Sequence, residues 1–378
     1  MTICPTPPVS TTVYSVVWPE TEALVRRCMT HELDAMLNAH RDAHTKHQDG
    51  LHEPFFDAWT RFAAPALAWN PGDFPEHYPT AGSSEAIREL IRRQAWTGQD
   101  LVVFDGEYEG YEAIAAAQGT RVHRVDRTDW RGTLDAWRRT GAPWGEKGAV
   151  WWVSQPSALD GNLWSDFADW LDAVEALAGV SGGCRVWVDL TYVGRARMAT
   201  PIALTSPVVD GVVFSLSKVM GAYYRRIGGC MARAEVPGLW ANRWFKNLDA
   251  LYLGQRWLEE AGDALTEGAK YREAQQTAMA LALEALGGDA EWRGRGVVWK
   301  ASDVALLMYA EDPNGLRGAD EPFCELWFQA SRGQARNGPE HRWAAASRRY
   351  CLTPTLCGVV GAPAHTFDSE EEPAHVAP

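Results

Sequence analysis

Along this chain, strand-length apolar runs alternate with stretches of helical period. Residues 101–104, 150–153, 185–188 and 212–214 are short and almost continuously apolar, as buried strands are. Between them, apolar positions recur every three to four residues. A small-residue turn enters a helix that runs to about Trp96, Tyr111 opens another, and Ser165 starts an amphipathic one with Trp170 and Leu171 facing inward. Upstream, Leu24, Val25, Cys28, Leu33, Met36 and Leu37 predict one helix over residues 20–49. The aromatic, proline-rich segment 54–79 predicts irregular structure packed on the main domain or on a partner subunit. Downstream, residues 258–286 have helical period and 303–308 read as a strand. Residues 1–12 predict a flexible arm, and those after about Thr366 a disordered acidic tail.

Composition narrows the class. A chain of 378 residues suits one catalytic unit of two subdomains, and 46% apolar with 22% charged residues is a soluble globular balance. A formal charge of −13 argues against nonspecific binding to nucleic acid or an anionic membrane, while leaving room for a local cationic pocket. No apolar run approaches the roughly 20 residues of a membrane span, and the proline- and threonine-rich start lacks the pattern of a secretory signal. Seven scattered cysteines without a C-x-x-C pair predict reduced thiols in a cytoplasmic protein. Nineteen tryptophans read first as core or subunit-interface residues, with a flat-walled site for an aromatic or nucleoside substrate as the alternative. His40, His44 and His47 share a helix face at a spacing that can bind metal. No carboxylate or cysteine set accompanies them, so the expectation is a solvated polar face and no metal.

The stretch richest in chemistry follows residues 212–214. It reads Ser215-Leu-Ser217-Lys218, then Gly221, Arg226 and Gly228-Gly229. A lysine ending a buried strand is costly unless paired, neutralised or used covalently. Two serines and Arg226 offer hydroxyl and guanidinium contacts to a phosphate. The set predicts a pocket for a phosphorylated aldehyde with Lys218 as its Schiff-base partner. The turn through Gly82, Ser83 and Ser84 presents backbone N–H groups at a helix start, suited to an anion, a cap, or both. Asp189 ends an apolar run, where an aspartate can be a helix cap or a buried functional carboxylate.

The S-x-S-K segment, with R-x-G placed so that the arginine lies eight residues after the lysine, resembles the lysine motif of fold-type-I pyridoxal 5′-phosphate (PLP) enzymes, the class I/II aminotransferase superfamily. The other motifs fall in the family's order between Tyr78 and Arg349. The resemblance implies an α/β fold: a large domain with a mainly parallel seven-stranded sheet flanked by helices, and a smaller α/β subdomain from the N- and C-terminal segments. Residues 1–75 would form the arm and part of the small domain, 76–265 the PLP-binding domain, and 266–378 the C-terminal subdomain. It also implies PLP as cofactor, with Lys218 as the catalytic lysine and Ser83, Ser84, Ser215, Ser217 and Arg226 around the phosphate. Tyr108 falls on the ring-stacking aromatic, Asp189 of a D-x-x-Y pattern on the ring-nitrogen partner, and Tyr192 on a donor to the 3′-oxygen. Arg349, chosen over Arg348 on strand alternation, falls on the arginine for the substrate α-carboxylate. One loop departs from the family. Where N-P-x-N-P-T-G is usual, Ala158 stands in place of the asparagine that donates to the 3′-oxygen, leaving Gln155 or Asn162 as substitutes.

The resemblance implies an enzyme acting on an amino acid, with transamination as the expected outcome. The altered loop and the aromatic, basic stretch between Trp240 and Trp257 favour an alternative. That is a specialised-metabolism enzyme doing elimination, replacement or C–C bond formation on a large substrate such as S-adenosylmethionine, with a nucleotide-type co-substrate. A PLP-fold regulator without turnover ranks third, since no helix-turn-helix or basic segment precedes residue 80. A homodimer with the active site at its interface is implied as well, with neither nucleic acid nor membrane as partner.

Overall fold

The fold is that of a computed structural model describing residues 19–45, 49–158, 161–179, 183–221, 223–270, 298–301, 307–311 and 347–351. Its centre is a seven-stranded sheet in the order β2 (Glu76–Thr80), β9 (Gly228–Ala232), β8 (Val209–Ser215), β6 (Cys184–Asp189), β5 (Ala149–Ser154), β3 (Asp100–Phe104) and β4 (Val122–Val125). Strands β8, β6, β5, β3 and β4 run parallel, and β9 pairs antiparallel with both β8 and β2. This is the mainly parallel sheet expected. A two-stranded parallel ribbon joins β1 (Leu67–Ala68) to β7 (Ile202–Ala203). β10 (Val298–Ala301), β11 (Leu307–Glu311) and β12 (Ser347–Cys351) form a separate antiparallel sheet.

The continuous apolar runs are explained by helices on both faces, because successive strand side chains point to opposite sides. Val102, Phe104, Trp151, Val153, Val188 and Phe214 belong to one core, and Leu101, Val103, Val150, Trp152, Trp187 and Val213 to the other. The first is covered by α3 (Asp49–Ala63), α7 (Phe167–Ala178) and α9 (Leu248–Ala261), through residues such as Phe55, Trp59, Trp170 and Leu251. The second is covered by α4 (Ser83–Thr97) and α5 (Glu109–Gln118), through Ile87, Leu90 and Tyr111.

Several local expectations change. The single helix over residues 20–49 is two, α1 (Pro19–Thr30) and α2 (Leu33–Thr45), so Leu24, Cys28 and Met36 are buried while Leu33 and Leu37 face out. Segment 54–79 is not irregular throughout. Its first ten residues complete α3, whose Phe55, Phe56, Trp59 and Phe62 are fully buried, and tertiary packing outweighs Pro54 near the helix start. The later helical pattern begins earlier, at Leu248 with the Asn247 side chain accepting from Ala250 N–H. It breaks at Gly262, where φ is +80°, before α10 (Ala264–Lys270). The N-terminal arm, His47, residues 271–286, 303–306 and the acidic tail lie outside the described residues.

One contact anchors α3 to the sheet. The Trp59 indole stacks on Phe214 with ring centroids 4.0 Å apart and planes 6° from parallel, one residue before Ser215. Phe214→Ala is expected to lower the stability of the apoprotein by about 3–5 kcal/mol, read as a shift of the urea midpoint at unchanged m-value.

Candidate active site

The chemistry-bearing residues gather along one edge of the sheet, at the C-terminal ends of its parallel strands. Ser154 ends β5, Asp189 ends β6, Ser215 ends β8, and β9 begins two residues after Arg226. Open α/β sheets place their crevices at this edge because each strand hands over to a helix there.

An anion cradle forms between β8, α4 and the turn before β9. The Ser215 hydroxyl accepts from Ser217 N–H at 3.2 Å and donates to Ser217 Oγ at 3.0 Å. Arg226 reaches the same Ser217 oxygen from Nη1 at 3.4 Å, and from Nη2 donates to the Ala81 carbonyl at 2.8 Å. Its backbone sits at φ +51°, a left-handed conformation that non-glycine residues seldom hold outside constrained sites. Gly82 is required where it is. At φ +74°, a Cβ there would lie 2.6 Å from Arg226 Nη2 and 3.4 Å from Ser215 Oγ. Gly228 is required too, since its Cβ would meet the Phe214 carbonyl at 2.5 Å and Gly82 Cα at 2.7 Å. Ser83 and Ser84 open α4, the first buried and the second exposed, so two hydroxyls, a guanidinium and a helix N-terminus converge on one place.

Asp189 is the buried charge of the site. Its Oδ1 accepts from Thr191 N–H at 2.9 Å and Thr191 Oγ at 2.5 Å, and its Oδ2 accepts from the Tyr111 hydroxyl at 3.1 Å. Thr191 Oγ also lies 3.1 Å from Ser83 Oγ, which joins this carboxylate to the cradle. Burial pushes the Asp189 carboxyl above the usual aspartate range, and the hydrogen bonds from Thr191 and Tyr111 only partly offset it. The same burial, with Asp189 close by, holds the Tyr111 hydroxyl well above its ordinary value. Lys218 is half-buried in α8 (Leu216–Val219), the single turn that follows β8. Tyr108, half-exposed, precedes α5 and meets Tyr111 edge-on, with ring centroids 5.3 Å apart. Tyr192 is buried in the turn after Asp189.

Residues 78–285, more than half of the chain, match the family model for aminotransferase class I and II. The chain belongs to this family. Its members use PLP. The histidinol-phosphate aminotransferase of Geotalea uraniireducens (strain Rf4) is 31% identical over 182 residues, covering 48% of this chain and 49% of that protein. The chain therefore spans about half the length of the curated relatives it matches. Among solved structures, a double mutant of Thermus thermophilus aspartate aminotransferase is similar with TM-score 0.64 at 16% identity, over 94% of this chain and 90% of that one. YbdL from Escherichia coli, described as having a methionine aminotransferase function, is similar with TM-score 0.61 at 17% identity, over 93% and 96%. At such identities these structures speak for the fold.

The residues present fit the family's cofactor. The cradle supplies donors for a phosphate, and Asp189 holds a buried charge satisfied only by neutral hydroxyl and amide donors among the described residues. A protonated ring nitrogen, bound there, would supply a cation. Where the aminotransferase loop departs from its pattern, the Gln155 amide is committed elsewhere: it donates to the Trp164 carbonyl at 3.1 Å and accepts from Trp164 N–H at 3.2 Å. Asn162 accepts from Ser157 N–H through its backbone carbonyl at 2.9 Å. Arg349 lies on β12 in register with Tyr309, and its side chain is outside the described residues.

Tyr111 and Thr191, neither of them a candidate site residue in the sequence, are the partners of Asp189. A buried tyrosine hydroxyl needs a partner, and a threonine two residues after an aspartate is placed to close a side-chain turn on it; those two signals were available. Tyr78 is fully buried within its own chain. Its hydroxyl accepts from Val236 N–H at 2.9 Å and donates to Glu76 at 3.1 Å. Away from the sheet edge, His52, Glu53 and His77 bring possible metal-ligating atoms within 4.8 Å of one another. Lys246 Nζ stands 3.0 Å from His52 Nδ1, however, and burial together with that ammonium pushes His52 down to about 3. That contact already uses the Nδ1 lone pair.

The raised Asp189 carboxyl has a testable sign. The folded state binds its proton more tightly than the unfolded state, so ionisation above the raised value costs stability, and that cost fades as pH falls through it. Asp189→Asn is expected to leave the apoprotein at least as stable as the parent at pH 8, with the difference closing in acid. Added PLP is expected to bind at least about tenfold more weakly, through loss of one charged hydrogen bond. Thermal melts and a PLP titration measure both.

Proposed function

We propose that the protein is a PLP-dependent aminotransferase acting on an amino acid. The observation that carries this reading is the buried Asp189 carboxylate, held by neutral donors on the strand next to β8, which leads into Lys218. The residues that would hold the cofactor are Ser83, Ser84, Ser215, Ser217 and Arg226 at its phosphate, Tyr108 over its ring, Tyr192 at its 3′-oxygen, Asp189 at its ring nitrogen and Lys218 at its aldehyde carbon. Bound there, PLP supplies an electron sink for negative charge developing at the substrate Cα.

The chain's own residues do the rest. Asp189 keeps a proton on the ring nitrogen, because a buried carboxylate lacking a cation binds one strongly. Arg226 and the start of α4 neutralise the phosphate and fix its position. Tyr108 sets the plane of the ring by stacking, worth about 0.5–1.5 kcal/mol. Arg349 takes the substrate carboxylate in a two-pronged hydrogen bond, which orients the Cα–H bond. Lys218, on a short turn at the strand end, removes the Cα proton and returns it.

One observation favours a second reading. Ala158 stands at the usual asparagine position and the Gln155 amide is bound to Trp164, so the ring oxygen is served differently than in ordinary transaminases. That suits elimination, replacement or C–C bond formation on a larger substrate such as S-adenosylmethionine. In both readings the protein works as a cytoplasmic homodimer with small-molecule partners. Among the described residues no helix is long and apolar enough to cross a membrane, and Trp240 and Phe245 are exposed apolar side chains of the kind a subunit interface covers.

Lys218→Ala is expected to replace the visible band of the PLP-loaded protein by that of the free aldehyde and to lower turnover at least about a hundredfold; an unchanged band would reject the assignment. Incubating the loaded parent with a panel of amino acids, S-adenosylmethionine included, separates the two readings by whether a keto acid forms. Arg349→Ala is expected to raise the apparent KM for the amino acid by about tenfold or more while leaving PLP retention unchanged. Loss of PLP instead would move that arginine to another role.

A further inference from the structure

A second buried carboxylate stands beside the first. Glu107, in the turn between β3 and Tyr108, is 7% exposed, close to the 6% of Asp189. Its Oε1 accepts from Ser154 Oγ at 2.5 Å and from Tyr108 N–H at 3.1 Å, and its Oε2 accepts from Ser154 N–H at 3.4 Å. Three donors aimed at one carboxylate oppose the cost of burying its charge. Ser154 in turn accepts from Ala158 N–H at 2.5 Å, and across the sheet it is the register partner of Asp189. One serine hydroxyl thus joins Glu107 to the residue that stands at the family's asparagine position. Neither Gln155 nor the resemblance accounts for an anion here.

We propose that Glu107 is a positioning residue that replaces the absent asparagine: acting through Ser154 and the Tyr108 backbone, it places a fixed negative charge beside the cofactor pocket where the family uses a neutral amide donor. This rests on the PLP reading. The Glu107 charge favours the protonated form of the chromophore that PLP makes with Lys218, and so raises the pH at which that chromophore loses its proton. Other charged or titratable groups face the same region: Asp189 from β6, Tyr192 from the turn after it, Tyr111 from α5, and Tyr108 beside Glu107. Lys218 comes from α8, Arg226 from the turn before β9, and Arg127 donates to Ser157 Oγ at 2.8 Å. In a Glu107→Gln variant the amide oxygen can keep the two hydrogen bonds that Oε1 accepts from Ser154 Oγ and Tyr108 N–H, while the charge and the longer 3.4 Å bond from Ser154 N–H are lost.

The experiment is a pH titration of the visible spectrum of the PLP-loaded protein, with PLP stoichiometry measured alongside. Glu107→Gln is expected to lower the midpoint by about one pH unit, a tenfold change in proton affinity, at full PLP occupancy. Glu107→Asp, which keeps the charge, is expected to return most of the shift. An unchanged midpoint in a fully loaded Glu107→Gln protein would overturn the proposal. If that variant does not fold, Glu107→Ala removes the same charge and is read in the same way: a lowered midpoint supports the proposal, and an unmoved one overturns it. A parent protein whose spectrum does not depend on Lys218 would instead reject the PLP reading, and this proposal with it, before any Glu107 variant is measured.

Discussion

The structure turns on a carboxylate kept dry. Asp189 ends a central strand of a sheet covered on both faces, so its charge is withdrawn from water and met only by Thr191 and Tyr111 among the described residues. A buried anion with neutral partners is destabilising in the free protein and correspondingly selective for a cationic ligand atom. Everything near it serves that arrangement. Tyr111 is fixed by α5 packing, Thr191 ties the carboxylate to Ser83, and Ser83 opens the helix that faces Arg226. The cradle for an anion and the seat for a cation are therefore one connected network.

Rigidity comes from the two cores. The stacked Trp59 and Phe214 rings, and the close approach of Gly228 to Gly82, hold the end of β8 and the start of α4 against each other. Lys218 follows β8 by a single helical turn whose position is secured from behind. The Arg195 guanidinium donates to the Val219 carbonyl and pairs with Glu267 of α10 at 2.9 Å, both side chains nearly inaccessible to water. Burial lowers this arginine to about 10, with Glu267 opposing the shift. A buried pair of this kind adds little net stability but has few alternative partners, which suits a contact that fixes the residue after the lysine.

The departure at Ala158 and the presence of Glu107 belong together. An amide side chain has been lost on one loop, and a carboxylate from the neighbouring loop reaches the same serine. The site keeps a polar group in that quarter, a carboxyl in place of an amide.

Pattern alone carried the fold class a long way. The almost continuously apolar runs at 101–104, 150–153, 185–188 and 212–214 are all strands of the central sheet, since strands buried on both faces lack alternation. The lysine motif, Asp189 and the glycine-rich helix start were legible because each needs particular residue types at fixed spacing along the chain. What the sequence left open depended on contacts between distant segments. That α3 forms through Pro54, that α1 and α2 are separate, that Tyr111 bonds an aspartate 78 residues away and that Glu107 bonds a serine 47 residues away are set by packing. Local spacing records what one stretch can do; only the folded chain decides which stretch it does it with.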